Sequence, residues 1–151
     1  MEIIAYEMQL NKLTADAPSI SCIPFQMQYF EEYKRIYNEC FYEMRKALDI
    51  EPYNFLKDYG QIVDKMGDIY LLVDKEEIIG SVASYGNEID DLIVNPGFRR
   101  QGYGKQLLLW VIQRIRERSD QPITLHVAAW NQGAVALYEK CGFEIVKREK
   151  V

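Results

Sequence analysis

The sequence has 151 residues, of which 48% are hydrophobic and 27% charged, as expected of a globular chain with its own core. This length predicts one domain over residues 1–151. A net charge of −5 and a pI near 5.0 argue against general binding to nucleic acid or to an anionic membrane. No apolar run approaches the ~18 residues of a membrane span, and the N-terminal residues have no signal-peptide pattern.

The first third of the chain predicts two helices. Residues 3–10 are ambiguous and compatible with a strand. Apolar side chains then recur with helical period over residues 26–48, just after Pro24, which the start of a helix tolerates. The segment DIEPY ends that helix. A second, weaker helix is predicted over residues 53–65, closed by Gly67.

The rest of the chain predicts alternating strands and helices. Three strands, at 69–73, 78–84 and 89–94, are joined by tight turns, which makes them antiparallel neighbours. The elements that follow are an amphipathic helix at 102–118, a strand at 122–130, a short helix at 131–140 and a final strand at 142–149. The sequence therefore predicts an α/β fold of the α+β type, with helices on both faces of a mixed, mostly antiparallel central sheet of six to seven strands.

Three widely spaced cysteines, at positions 22, 40 and 141, are an odd number for a disulfide framework. They favour reduced thiols and a cytoplasmic location. With one histidine and no CxxC pair, the sequence predicts no metal site.

The segment RRQGYGK, residues 99–105, lies between a predicted strand and the start of a predicted helix. Free N–H groups of a first helical turn, together with the helix dipole, favour an anion at such a place. Gly102 and Gly104 carry no side chain that would keep a phosphate from the backbone. Arg99, Arg100 and Lys105 add positive charge. These residues predict an anion site, with a solvated basic turn as an equal alternative on this segment alone.

Two familiar phosphate-binding loops do not match this segment. A Walker loop would have Gly where this chain has Arg99, and Ser or Thr in place of Gln106. A dinucleotide-binding GxGxxG pattern starting at Gly102 would need a third Gly in place of Leu107. Of the functions considered for the turn, binding of a nucleotide phosphate by an unrelated protein class therefore has the least support.

Two motifs resemble the GNAT-type N-acetyltransferase superfamily. The first is R/Q-x-x-G-x-G/A after a strand, filled here by Arg99, Gly102 and Gly104. The second is N-x-x-A-x-x-x-Y-x-x-x-G-F, filled here by Asn131, Ala134, Tyr138, Gly142 and Phe143. The close resemblance covers residues 89–146, and the hairpin at 69–84 also fits. It implies the acyl-CoA N-acyltransferase fold.

The resemblance implies acetyl-CoA as co-substrate. Its pyrophosphate would lie on the turn, held by Arg99 and by backbone amides of Arg100, Gln101, Gly102, Tyr103, Gly104 and Lys105. Its pantetheine arm would pair with the strand residues Leu92, Ile93 and Val94, which requires two neighbouring strands to splay apart. Asn131 would contact the same arm, and it is also expected to cap the helix that follows it.

The resemblance also implies catalytic roles. Tyr138 matches the residue that protonates or hydrogen-bonds the leaving CoA thiolate. Many relatives that resemble N-terminal peptide acetyltransferases carry a Glu five residues before the Asn, and this chain has His126 there. A neutral imidazole is a plausible base near pH 7. We rank His126 first and Glu88 next, with Asp90, Asp91 or water as the remaining alternatives.

The resulting hypothesis is an enzyme that transfers acetyl from acetyl-CoA to a primary amine by direct attack in a ternary complex. The acceptor, a small amine or a peptide amine, is not specified, although Tyr29 and Tyr42 are candidates for its pocket. A homodimer is compatible with the sequence. The alternative is a non-catalytic acetyl-CoA-binding or sensing domain of the same fold, which would need no base.

Overall fold

The computed structural model describes residues 2–11 and 16–151. Within these ranges the chain forms seven β-strands and three α-helices. The strands are β1 (Ile4–Leu10), β2 (Ile23–Pro24), β3 (Ile69–Asp74), β4 (Glu77–Tyr85), β5 (Glu88–Val94), β6 (Ile123–Ala128) and β7 (Glu144–Lys150). The helices are α1 (Phe30–Ala47), α2 (Tyr103–Arg116) and α3 (Gln132–Lys140). Short 3-10 turns lie at Met27–Tyr29, Tyr59–Gln61, Val63–Asp68 and Pro96–Phe98.

The strands form one sheet in the order β2-β3-β4-β5-β6-β1-β7. All neighbours are antiparallel except β5 and β6, which are parallel. This confirms the mixed, mostly antiparallel sheet. Residues 3–10, ambiguous from the sequence, contain β1, which lies inside the sheet between β6 and β7. Its Met8 and Leu10 side chains are fully buried, so this strand is part of the core.

Helices cover both faces of the sheet, and each face has its own hydrophobic cluster. Strand β3 contributes to both, because alternate side chains of a strand point to opposite faces. Ile69 and Leu71 pack in the cluster beneath α1, whereas Leu72 packs in the cluster beneath α2. The apolar face of α2 is the one predicted from its period: Leu107, Leu108, Val111, Ile112 and Ile115 are buried there.

Gly80 lets α2 and β5 approach β4 closely. An ideal Cβ at this position would lie 2.7 Å from Leu107 Cδ1 and 2.8 Å from the Ile93 carbonyl oxygen. Side chains do not tolerate such contacts, so the tight stacking around β4 requires glycine. This packing fixes the position of β5, the strand on which the candidate site is built.

The helix predicted over residues 53–65 is wrong. The structure has only the 3-10 turns at Tyr59–Gln61 and Val63–Asp68 there. The Asn38 side chain explains the difference: its Nδ2 donates to the Leu56 carbonyl at 2.8 Å, and its Oδ1 accepts from the Leu56 amide at 2.9 Å. These bonds tie the segment to α1 and replace the backbone bonds that a helix would supply. Buried Leu56 then packs beneath α1.

Candidate active site

The two parallel strands β5 and β6 separate from each other soon after they begin. Only Glu88 with Thr124 and Ile89 with Leu125 are paired. Beyond these pairs, β5 continues along β4 and β6 continues along β1. The result is a wedge-shaped opening in the middle of the sheet, which is the splay that the resemblance required.

A bulge in β5 lies at the edge of this opening. The register with β4 shifts between the pairs Ala83–Asp90 and Ser81–Ile93, so Asp91 and Leu92 together oppose a single residue. Asp91 has a φ of 48°, and its amide donates to its neighbour's carboxylate, Asp90 Oδ1, at 2.8 Å. A bulge leaves backbone groups out of the ladder and re-aims side chains. Both effects are useful beside a ligand.

Two adjoining cavities fill the opening. The central cavity, of about 370 Å³, is lined by β5 and β6 on two sides, by α1 on a third and by α3 on a fourth. The side cavity, of about 320 Å³, lies between α1, the end of β5 and the residue before α3. Phe41, Met44, Leu92 and Asn131 line both cavities, so the two form one groove.

The Gly-rich turn has the backbone shape expected of an anion site. Gly102 has a φ of 83° and Arg100 a φ of 64°, so the chain reverses tightly before α2. The first helical hydrogen bond runs from the Gln106 amide to the Gly102 carbonyl at 3.2 Å. The preceding amides therefore face outward, as at the start of any helix. Lys105 Nζ lies 3.7 Å from Asp16 Oδ2.

Arg99 connects this turn to the groove. It lines the side cavity, and its Nη2 lies 3.8 Å from Cys40 Sγ. The Cys40 thiol in turn lies 3.2 Å from the Val94 carbonyl oxygen. Residues 100–105 lie outside both cavities, and the Tyr103 ring packs edge-on against Phe98.

The predicted cofactor strand and cap are at the groove. Leu92, Ile93 and Val94 line the side cavity, although the Ile93 side chain is buried beneath α1. The Asn131 side chain accepts from the Ala134 amide at 3.1 Å, which confirms that it caps α3. Asn131 also lines both cavities.

His126 of β6 and Glu88 of β5 are held together, and both side chains are partly exposed to solvent. His126 Nδ1 lies 2.7 Å from Glu88 Oε1, and Nε2 lies 3.5 Å from Glu7 Oε1. Both ring nitrogens thus have carboxylate partners. Glu149 also approaches, so that Glu7, His126 and Glu149 offer ligand atoms within 4.8 Å of one another. The sequence did not reveal this group, because it is assembled from three strands.

The Asp91 carboxylate is the strongly perturbed acid of the site. Burial, together with the neighbouring charge of Asp90, raises the pKa of Asp91 to about 7, although Lys65, the Tyr37 hydroxyl and Arg45 counteract the rise. Burial also raises the pKa of Asp90, although the hydrogen bond that its carboxylate accepts from the Asp91 amide lowers this pKa. Asp91 can therefore exchange a proton near neutral pH, inside the central cavity.

Tyr138 lies opposite these acids on α3. Its side chain is 9% exposed, packs edge-on against Phe143 and lines the central cavity. Burial, with the charges of Asp90 and Asp91, raises the pKa of Tyr138 to about 12. Tyr138 and His126 line the same cavity, whereas Glu88 lies outside both cavities.

Sequence reasoning missed the contribution of α1 to the cavity. Tyr29 and Tyr42 were candidates for the acceptor pocket, but neither lines either cavity. Tyr37 and Phe41, which lie within the helical period predicted over residues 26–48, line the central cavity together with Arg45. The helical period marks both as apolar-face residues, and only the splay of β5 and β6 exposes that face to a cavity.

A family model described as the acetyltransferase (GNAT) family matches residues 30–143, more than half of the chain. The chain belongs to the acetyltransferase (GNAT) family. The resemblance drawn from the two motifs is thereby confirmed. The matched range contains α1, the bulge in β5, the Gly-rich turn and α3, which together surround the groove.

Two curated relatives share local sequence similarity. Mycothiol acetyltransferase of Corynebacterium glutamicum is 32% identical over 92 residues, which cover 58% of this chain and 32% of the relative. The ribosomal protein bS18-alanine N-acetyltransferase of Escherichia coli is 40% identical over 53 residues, covering 35% of this chain and 36% of the relative. The chain thus matches about a third of the length of these relatives.

Solved structures support the fold. The PaiA N-acetyltransferase of Thermoplasma acidophilum, in complex with coenzyme A, matches with a TM-score of 0.69 and 17% identity. The match covers 88% of this chain and 99% of that structure. At this identity the likeness concerns the fold alone, and it confirms the acyl-CoA N-acyltransferase fold. No helix in the described ranges is long and apolar enough to cross a bilayer.

Proposed function

We propose that this chain, as a single domain, transfers an acetyl group from acetyl-CoA to a primary amine by direct attack in a ternary complex. One observation carries the proposal. A cavity between two splayed strands holds a carboxylate with a pKa near neutrality, Asp91, and a buried phenol, Tyr138. A proton acceptor for the amine and a hydrogen-bond donor for the departing thiolate, both in one cavity, would accelerate amine acetylation.

The cofactor would follow the groove from the Gly-rich turn inward. Outward-facing amides of Arg100, Gln101, Gly102, Tyr103, Gly104 and Lys105 would hold the pyrophosphate, with Arg99 at the side cavity. The pantetheine arm would run along Leu92, Ile93 and Val94, beside Asn131. This path would bring the thioester to the central cavity, since Leu92 and Asn131 line both cavities.

The amine nitrogen would attack the thioester carbonyl carbon, forming the C–N bond as the C–S bond breaks. Asp91 would take the proton that the amine loses. A base with a pKa near the working pH combines adequate ionisation with adequate basicity. The bulge supplies unpaired backbone groups beside the thioester, where negative charge develops on oxygen.

Tyr138 would stabilise the departing CoA thiolate. Its pKa of about 12 lies well above the ~8.5 of a thiol, so full proton transfer to sulfur is unfavourable. A hydrogen bond from the phenol to the developing thiolate suffices for catalysis. Solvent can then protonate the released thiolate.

His126 and Glu88, the first choices from the sequence, have a different place in this proposal. Their short contact at 2.7 Å occupies the Nδ1 nitrogen, and Glu7 faces the other nitrogen. His126 would shape the mouth of the central cavity, and Glu88, outside the cavity, would hold the His126 ring in place. Asp91 takes the role of base because its carboxylate is perturbed and lines the cavity.

The test is a thiol-release assay with acetyl-CoA and a panel of primary amines. We expect at least one amine to stimulate release, and Tyr138→Phe to lower kcat while acetyl-CoA still binds. Binding of acetyl-CoA with no release for any amine would contradict the enzymatic proposal and support the non-catalytic alternative. Tight binding of ATP or NAD instead of acetyl-CoA would contradict both.

A further inference from the structure

The central cavity has opposite charges on two walls. The β5 wall carries the carboxylates Asp90 and Asp91, and the α1 wall carries one cation, Arg45. The apolar side chains of Met44, in the last turn of α1, and Leu48, which caps this helix, also line the cavity. A ligand that fills the cavity therefore meets carboxylates, apolar surface and a cation.

The Arg45 guanidinium is held in place without an ion-pair partner. Its Nη1 donates to the Pro52 carbonyl at 3.2 Å, and its planar group lies over the Phe55 ring at 4.5 Å. Among the described residues, no carboxylate lies within ion-pair distance of this side chain. A guanidinium has five N–H donors in a fixed fork, and within the described ranges the Arg45 group uses one of them, toward Pro52.

An anion at Arg45 and an amine at Asp91 can belong to one small molecule. Both side chains line the same cavity of about 370 Å³, and Arg45 is close enough to lower the pKa of Asp91. Arginine binds a carboxylate through two parallel hydrogen bonds, which adds both strength and orientation. Burial of an apolar group against Met44 and Leu48 would add further affinity.

We propose that the acceptor is a free α-amino acid with an apolar side chain, its amine directed to Asp91 and its carboxylate bound by Arg45. The inference rests on the proposed acetyl transfer and names the acceptor class for that site. The product is the N-acetyl amino acid, and the amine proton leaves through Asp91.

Arg45 could affect acetylation in two ways, through the pKa of Asp91 or by binding the acceptor's carboxylate, and the experiment must distinguish them. Its charge alone lowers the pKa of Asp91, and loss of that effect would slow acetylation of every amine. Binding of a carboxylate affects only acceptors that carry one. The measurement is therefore the ratio of kcat/KM for L-leucine to kcat/KM for L-leucinamide, two amines of the same shape. Comparing this ratio between variants cancels the basicity of the two amines.

We expect the ratio to fall about tenfold or more in Arg45→Met, because a desolvated charge pair is lost only with leucine. In Arg45→Lys the ratio should fall less than in Arg45→Met, because the positive charge is kept. Lys46→Met, which removes the adjacent exposed cation on α1, should leave it unchanged. Retained thermal stabilisation by acetyl-CoA will show that each variant is folded. Glycine, which lacks the apolar side chain, should be a poorer acceptor than leucine.

Equal losses for leucine and leucinamide in Arg45→Met would overturn the inference and leave Arg45 as a modulator of Asp91. Acetylation of other amines with none of leucine would also overturn it, while the proposed function would stand. If acetyl-CoA binds and no amine is acetylated, the proposed function fails and this inference fails with it.

Discussion

Asp91 combines an unusual backbone conformation with an unusual acidity. Its φ of 48° lies in the left-handed region, where non-glycine residues are uncommon and Asp and Asn are the best tolerated. The bulge thereby turns its carboxylate into the central cavity, where burial raises its pKa. Strained residues of this kind concentrate at functional sites, where the surrounding structure holds them in place.

Replacing Asp91 with Asn should remove the base and keep the bulge. We expect kcat/KM to fall by roughly 10²–10⁴, the usual contribution of general-base catalysis. Asp90→Asn is the matched control, since an amide oxygen can still accept from the residue 91 amide. A smaller loss is expected there. Steady-state kinetics that show the larger loss in Asp90→Asn would contradict the assignment.

The acidity of Asp91 also predicts how activity depends on pH. Only the ionised carboxylate can accept a proton, so kcat/KM should rise as pH rises through about 7. This rise in kcat/KM should be absent in Asp91→Asn, which distinguishes ionisation of Asp91 from ionisation of the amine substrate. If the same rise persists in the variant, the ionising group is the substrate amine.

Stability should change with pH in the opposite direction. The folded state holds the Asp91 proton more tightly than the unfolded chain, whose carboxyl has a pKa of ~3.9. The contribution of the Asp91 carboxyl to the free energy of unfolding is therefore fully present below pH ~3.9 and is lost as the pH rises through about 7. Asp91→Asn should therefore gain stability relative to wild type between pH 4.5 and 8. Urea unfolding of both proteins measures the difference, and a constant or shrinking difference would contradict the raised pKa.

At the scale of elements, β1 is the part of the sheet that the sequence revealed least. Its partners β6 and β7 begin more than 110 residues later, so no local turn identifies the pairing. The hairpins formed by β3, β4 and β5 could be predicted from the sequence because tight turns join these consecutive strands. The predicted helix at 53–65 failed for a related reason: the side chain of Asn38, distant in sequence, satisfies the backbone there.

The interior position of β1 has a measurable consequence. Met8 is 0% exposed, whereas Ile145, the residue of β7 that pairs with it, is 43% exposed. We expect Met8→Ala to lower the free energy of unfolding by about 2–5 kcal/mol, as for buried large-to-small changes in general. Ile145→Ala should cost clearly less. Urea denaturation compares the two, and similar losses would place β1 outside the core.

At the scale of the whole molecule, the site is a gap between two well-packed regions. One hydrophobic cluster lies beneath α1 and the other beneath α2, and the splay of β5 and β6 opens between them. The local sequence motifs predicted the Gly-rich turn before α2, the helix cap at Asn131 and a tyrosine on α3; the structure confirms the cap, and the cofactor and catalytic roles stay predictions. The motifs left the base open, because the cavity wall combines residues of β5, β6 and α1 that only the folded chain brings together.

We expect the Gly-rich turn and the splayed strands to hold acetyl-CoA. The most direct measurement is thermal unfolding with and without acetyl-CoA, repeated with Arg100→Glu plus Gly102→Asp. A matched control is Arg35→Glu plus Gly86→Asp, which makes the same changes at an exposed helix position and at another glycine of positive φ. We expect stabilisation of roughly 2.7 kcal/mol at 100 times the dissociation constant in wild type and control, and none in the turn variant. Absence of a shift in wild type at millimolar acetyl-CoA, or an equal shift in the turn variant, would contradict the claim.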